Sequence, residues 1–325
     1  MDIGVVGVGY WGKNIIRNLQ KHKEIDNIFV FDKNTESIRK IRDSFPSVKE
    51  SDSFEELLNK DIDAVFIITP PETHYELGKK VLEAGKNLYL EKPFVLSADM
   101  AKELVLIGGK KSLKIMSGHT FLYSPPVIKI KEIIENNGIG DIEYISFRRI
   151  NLGIHQKAVN VIWDLLPHDL SMIFYWLGDS IKLKKGTSFL KTSVGKNPDI
   201  GFVFMEFSNG SVAEGIVSWL SPRKIRETII VGTNKMIVYN DTEPEEKIKI
   251  YDKKVEKLEP DNFGEYQLSY RVGDVVSPRI ETSEPLFMMI DDFIKSIKRD
   301  ENPKSDGRFG IKVVSAIESI LKDKE

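Results

Sequence analysis

The chain has 325 residues, a length that fits about two domains, and its 41% hydrophobic and 30% charged residues suit a globular protein with a sizeable core. A formal net charge of −2, with no long run of one sign, excludes the basic footprint of a nucleic-acid binder. The absence of cysteine excludes a disulfide framework, a thiolate nucleophile and a cysteine–zinc site, and no apolar run approaches the roughly 20 residues that span a bilayer.

The opening "MDIGVVGVG" reads as a strand and shows no basic leader, apolar signal core or cleavage site, so a soluble, cytoplasmic protein with no membrane partner is expected. Up to residue 120, short β-branched runs alternate with helical patterns. The runs are "IGVV" (3–6), "IFVF" (28–31), "AVFIIT" (64–69), "NLYL" (87–90) and "KIMSG" (114–118). They lack polar alternation, as strands do when helices cover both faces of a parallel sheet. The order predicts an α/β Rossmann domain with a doubly wound parallel sheet over residues 1–122.

The first turn, "GVGYWG", sets Gly7, Gly9 and Gly12 in the G-x-G-x-x-G spacing. Gly7 permits a tight turn, Gly9 lets backbone amides approach a pyrophosphate, and Gly12 lets the helix lie close to the strand. The helix start then offers free N–H groups to phosphate. The spacing alone is a weak signal. Here a strand precedes it, a helix follows, and Asp32 ends the second strand 20 residues after Gly12, where a carboxylate accepts ribose hydroxyls. That carboxylate repels a 2′-phosphate, so NAD is expected over NADP, tempered by the neighbouring Lys33.

"NLYLEKPF" ends a strand with Glu91, Lys92 and Pro93. Ligands of open α/β sheets bind beyond the carboxyl ends of the strands, which puts Lys92 at the mouth of the crevice. Pro93 stiffens the backbone after it, through a bond that could be cis. A solvated strand-end lysine is the plain alternative.

After Tyr123 the pattern changes. A second domain over 123–325 is expected, an α+β domain with a large, mainly antiparallel, open-faced sheet. A helix at 125–136 and a strand at 141–151 lead into it. "IGFVFMEF" and "SVAEGIVSWL" flank Asn209-Gly210, a strong hairpin signal, and "RETIIVG", "KMIVYN" and "KIKIYD" continue the run. Helical patterns return at 286–299 and 309–321, and the last helix, over 309–325, is free to pack back on the first domain. Large apolar residues at outward positions of 202–219 point to a homodimer or homotetramer through the open sheet face, with a monomer as the alternative.

Within this domain, "VNVIWDLLPHDLSMIFYWL" (159–177) is apolar except for Asn160, Asp164, His168, Asp169 and Ser171. Asp164 and His168 fall on one helix face, about 5–6 Å apart at Cβ. Pro167 is tolerated if the helix begins near Trp163 or Asp164, since the first N–H groups of a helix have no internal partner. His168 then sits near the positive helix end, where a neutral imidazole is favoured and can accept a proton beside a carboxylate. A capping aspartate with a hydrogen-bonded core histidine fits the residues equally well.

"GVGYWG", Asp32, "TPPETH" (69–74), "AGKNLYLEKP" and "GHTFLYSP" (118–125) closely resemble the Gfo/Idh/MocA family of pyranose and cyclitol dehydrogenases, and the resemblance runs through nearly the whole chain. It implies that Lys92 stands beside the reacting hydroxyl. It implies that Thr69, Pro70 and His74 line the dinucleotide, although His74 alone could as easily be a surface histidine. Asp164 and His168 match the family's D-x-x-x-H motif, with the histidine as acid/base and the aspartate as its partner. Tyr10, Trp11 and Glu91 join Gly7, Gly9, Gly12, Asp32 and Lys92 as cofactor-binding positions. Tyr123 and Asn160 join Lys92, Asp164 and His168 as substrate-binding positions. Two departures are Asn160, in place of a small residue, and Ser171, in place of a second acid.

The stretches at 217–241 and around Asp164 look like the branch that acts on nucleotide sugars, notably at C3 of UDP-N-acetylglucosamine. Arg223, Lys224 and Arg226 either meet a diphosphate or form a solvated strand edge. The resemblance thus implies NAD-dependent oxidation of a ring hydroxyl, with no metal. The alternatives are a keto-sugar reductase or an inositol or pyranose dehydrogenase using NAD(P)(H), and a non-catalytic dinucleotide-binding regulator.

Overall fold

Strand β1 (Asp2–Val6) is buried on both faces from Ile3 onward, as a central strand between two helix layers must be. The computed structural model describes residues 1–153, 155–257 and 268–322. The chain divides into two compact units, Met1–Ser124 with Ser283–Glu318, and Pro125–Thr282 with Ser319–Glu325.

The first unit adds β2 (Asn27–Phe31), β3 (Lys49–Glu50), β4 (Ala64–Ile67), β5 (Asn87–Leu90) and β6 (Ile115–Ser117), with connecting helices α1 (Tyr10–Lys21), α2 (Thr35–Ser44), α3 (Phe54–Asn59), α4 (His74–Glu83) and α5 (Ala98–Lys110). All pairs are parallel, in the order β3-β2-β1-β4-β5-β6. The order reverses between β1 and β4, which makes the ends of these strands the switch point where ligands of such sheets bind. Sequence signals start the helices: Asn34 caps α2, Ser53 caps α3 and Ser97 caps α5 through side-chain oxygens.

In the second unit α6 (Pro125–Glu135) and α7 (Val161–Leu177) accompany an eight-stranded sheet. Its strands are β7 (Ile142–Leu152), β8 (Leu183–Lys191), β9 (Ile200–Phe207), β10 (Val212–Ser218), β11 (Leu220–Gly232), β12 (Met236–Asn240), β13 (Ile248–Lys257) and β14 (Leu268–Val276). The order is β14-β13-β12-β11-β7-β10-β9-β8, antiparallel except where β7 and β10 run parallel. One face carries α7, whose Trp176 indole donates to the Val127 carbonyl of α6 at 3.1 Å. Side chains on the sheet that stay exposed include Tyr144, Phe189, Phe202, Phe204 and Val212.

Two helices follow, α8 (Pro285–Arg299) and α9 (Gly307–Lys322). The division at residue 123 put α8 in the second domain, whereas its contacts place it in the first unit. Its apolar face needs cover and finds it on the parallel sheet, where Phe293 packs edge-on to Phe66 at 5.6 Å. Its polar edge pairs Asp291 with His22 and Asp292 with Tyr123. The expected last helix runs to residue 325; its positions 323–325 lie outside the described residues. Among the described residues no helix is long and apolar enough to cross a membrane.

Candidate active site

The turn between β1 and α1 takes its shape from two glycines. Gly7 has φ +90°, and a Cβ on Gly12 would stand 2.3 Å from the Gly7 carbonyl oxygen. Gly9 faces open space, and as the N-cap residue of α1 it leaves the first-turn amides without a side-chain cap. Asp32, at the end of β2, accepts the Val8 amide through Oδ2 and the Asn34 amide through Oδ1, both at 2.8 Å. A cleft of about 610 Å³ opens beside the turn, lined by Gly9, Tyr10, Lys13 and residues of α2. The cradle fits a dinucleotide: open glycine, uncapped helix start and a half-buried carboxylate.

The segment after β5 is tightly held. The Lys92–Pro93 peptide is cis. Glu91 is 7% exposed, and its Oε1 accepts the Trp11 indole at 2.5 Å and the Tyr89 hydroxyl at 2.6 Å, while Oε2 accepts the Lys92 amide at 3.0 Å. Burial pushes the Glu91 carboxyl up, and these donors hold it back. Lys92 itself is half-buried. His74 is fully buried; its Nε2 faces the Thr69 carbonyl at 2.8 Å and its Nδ1 the Pro93 carbonyl at 3.0 Å. The imidazole is a strut between the loops that end β4 and β5. Burial pushes its pKa down.

In the second unit, α7 begins at Val161 because Asn160 caps it, its side chain accepting the Trp163 amide at 3.1 Å. Asp164 follows in the first turn, and its Oδ2 accepts the Trp219 indole at 3.0 Å. His168 is one turn further on the same face and half-buried. On the neighbouring face Asp169 takes a bidentate pair of hydrogen bonds from Arg149 of β7, at 2.6 and 3.0 Å, with both side chains buried. One face of α7 is thereby fastened to the sheet while another presents Asp164 and His168.

Residues 1–119 match the oxidoreductase family with an NAD-binding Rossmann fold, and residues 127–238 match the GFO/IDH/MocA C-terminal domain. The chain belongs to the Gfo/Idh/MocA family. A UDP-N-acetylglucosamine 3-dehydrogenase of Acidithiobacillus ferrooxidans is 27% identical over 220 residues, which cover 66% of this chain and 65% of that protein. Its structure superposes with a TM-score of 0.81 at 22% identity, covering 99% of this chain and 96% of that one. A levoglucosan dehydrogenase in complex with NADH and L-sorbose gives a TM-score of 0.82 at 18% identity, with 99% and 96% covered. These likenesses show the shared fold. The chain spans 61% to 65% of the length of the curated relatives it matches first, two of them uncharacterised oxidoreductases of Streptococcus pneumoniae and Bacillus subtilis.

Within this Gfo/Idh/MocA chain the site residues read from sequence separate into groups. Gly7, Gly9, Asp32, Thr69, Pro70, Glu91 and Lys92 lie in the loops beyond the carboxyl ends of β1, β2, β4 and β5, while Tyr10, Trp11 and Gly12 open α1 and His74 opens α4. Tyr10 is 88% exposed, Pro70 is exposed, and Thr69 bonds the Thr73 hydroxyl at 2.6 Å. Tyr123 differs from its reading as a substrate contact: its ring is buried and its hydroxyl donates to Asp292 at 2.7 Å, a tie to α8. The Asn160 side-chain oxygen, read as a substrate contact, is taken up by the helix cap. The expected helix start near Trp163 is corrected too. Pro167 lies inside α7, where it leaves the Trp163 carbonyl without its helical N–H partner, and the first turn of the helix holds Asp164 while His168 lies deeper than expected. Of the three cations near 223–226, Arg226 pairs with Asp241 at 3.2 Å, while Arg223 and Lys224 are exposed.

Two residues escaped the sequence reading. Trp219 lies 55 residues from Asp164, and nothing local links them. His119 follows β6 and is 1% exposed, and neither ring nitrogen has a hydrogen-bond partner among the described residues. Burial lowers its pKa to about 3, and the Lys92 ammonium adds to the drop. The rule that flagged Lys92, a polar residue just past a parallel strand, also points to His119.

Proposed function

We propose that the chain is an NAD-dependent dehydrogenase that oxidises a ring hydroxyl, most simply C3, of a nucleotide sugar such as UDP-N-acetylglucosamine. One observation carries this reading. Asn160 already caps α7, so Asp164 is not needed as a cap, yet it is held in place by the Trp219 indole one turn before His168. A first-turn carboxylate with a dedicated donor and a histidine one turn on is the arrangement of an acid/base pair. The family's NAD-binding domain, the open Gly9 and Asp32 support the cofactor.

The roles follow from the chemistry of each group. A bound nicotinamide dinucleotide supplies the hydride acceptor. His168 takes the hydroxyl proton, and Asp164 fixes its tautomer and offsets the positive charge it gains. The Lys92 ammonium steadies the negative charge that builds on the oxygen as the C–H bond breaks. Reduction of a keto sugar uses the same groups in reverse.

The exposed aromatics Tyr144, Phe189, Phe202 and Phe204 on one sheet are more than a lone wet face requires, which supports a homo-oligomer built through the second unit. The proposed use of a nucleotide sugar and NAD supports a cytoplasmic location. The test is a panel of UDP-sugars and free sugars with NAD, following NADH formation. Turnover of a UDP-sugar is expected, with His168→Ala about 10²–10⁴-fold slower. Turnover of free sugars alone, or an unimpaired His168→Ala, overturns the substrate or the role respectively.

A further inference from the structure

A buried carboxylate is costly unless donors surround it, and the first unit sets aside three of them for Glu91. They come from different places. Trp11 is the second residue of α1, so its indole belongs to the glycine-rich turn. Tyr89 is a fully buried residue of β5, stacked on Phe66 at 4.7 Å. The third donor is the amide of Lys92 itself. The Glu91 amide also donates to the Ile67 carbonyl of β4 at 3.1 Å. Neither the core nor the turn needs this link: an apolar side chain in place of Glu91 would avoid the desolvation, and Trp11 is 38% exposed and contributes little to the core.

We propose that Glu91 and Trp11 form a latch that fixes the glycine-rich turn against the strand end carrying Lys92, and so sets the span across which a dinucleotide is held. This rests on the reading that the first unit binds NAD. Glu91 is then a positioning residue: its carboxylate is occupied by protein donors and acts on the cofactor through the turn. An adenosine-half ligand meets only the turn and Asp32. A whole dinucleotide must satisfy both ends, so it alone senses the latch.

The experiment compares NADH and ADP binding, by calorimetry on the full chain, for wild type, Trp11→Phe, Glu91→Ala and Glu91→Gln. Trp11→Phe is expected to weaken NADH about tenfold and ADP less than twofold, the loss of one charge-assisted hydrogen bond. Glu91→Ala is expected to do the same or more. Glu91→Gln can keep a carbonyl oxygen facing Trp11 and Tyr89, so it is expected to recover most of the affinity. The indole N–H resonance of Trp11, read without ligand, is expected to shift in Glu91→Ala and to stay near its place in Glu91→Gln. Equal weakening of both ligands marks Trp11 as local packing and overturns the latch, as does unchanged NADH affinity in Trp11→Phe. A wild-type chain that binds no NADH overturns the cofactor reading and the latch with it, which sets that failure apart. Should Glu91→Ala fail to fold, Trp11→Phe, a change at a partly exposed side chain, still decides.

Discussion

The Trp219 indole donates a 3.0 Å hydrogen bond to Oδ2 of Asp164 across 55 residues of sequence. The ring is buried, its backbone amide donates to the Asp199 carbonyl at 3.0 Å, and its carbonyl accepts the Gly153 amide at 3.0 Å, so the donor is aimed from a fixed base. A hydrogen bond to a charged group is worth about 1.5–3 kcal/mol. Trp219→Phe keeps the packing and removes the donor. The turnover number is expected to fall about tenfold or more, with the KM for NAD unchanged. In an Asp164→Asn background the same change is expected to cost little more, since Trp219 acts through Asp164. Additive losses in the double variant would show that Trp219 works by packing alone.

Asp32 has a double engagement, with Val8 on one oxygen and Asn34 on the other. It shapes the turn as well as setting its charge. Asp32→Asn keeps one acceptor and removes the negative charge that a 2′-phosphate would meet. The ratio of NADPH to NADH dissociation constants is expected to fall at least about tenfold, since like charges a few ångströms apart cost about 4 kcal/mol at an effective dielectric near 20. An unchanged ratio would mean that Asp32 serves the turn only.

The buried pair of Arg149 and Asp169 fastens α7 to β7. Burial pushes the Asp169 carboxyl up and the guanidinium of Arg149 restrains it. Replacing one partner strands the other charge, so Arg149→Leu or Asp169→Leu is expected to cost roughly 3–5 kcal/mol of unfolding free energy. The double change to leucine is expected to recover most of that. Urea denaturation of the three variants checks it, and equal losses in single and double variants would count against the pairing as the cause.

What the sequence made legible was local. The strands of the parallel sheet announce themselves by unbroken β-branched runs, and the glycine turn by its spacing, because each is dictated within a few residues. The strand Leu183–Lys191 was missed because "LKKGTSFLK" mixes lysine and glycine into a strand in which only Gly186 is buried. The start of α7 was misplaced because Pro167 was taken as an opening-turn proline, while the asparagine at 160 was the stronger signal. The three donors of Glu91 were not legible, because they come from α1, β5 and the next peptide, and only folding brings them together. The placement of α8 with the first unit depends on which surface covers its apolar face, a tertiary choice that no helical period encodes.

His119 gives the last prediction. Folding buries its imidazole against Phe309, which meets it edge-on at 5.5 Å, the Lys92 ammonium disfavours a second positive charge, and its pKa drops to about 3. In the unfolded chain a histidine titrates near about 6.5. Between these values the unfolded chain binds a proton that the folded one refuses. Stability from this group is therefore complete above about pH 6.5 and falls by about 1.4 kcal/mol for each unit of acidification, until the folded imidazole takes its proton. His74 is shifted the same way and contributes equally to both proteins being compared. His119→Phe keeps an aromatic ring beside Phe309 and cannot titrate. From pH 7 to pH 5 the wild type is expected to lose about 2 kcal/mol more unfolding free energy than His119→Phe. Urea denaturation at the two pH values measures it, and parallel losses would mean that the His119 imidazole is protonated as readily inside the fold as outside it.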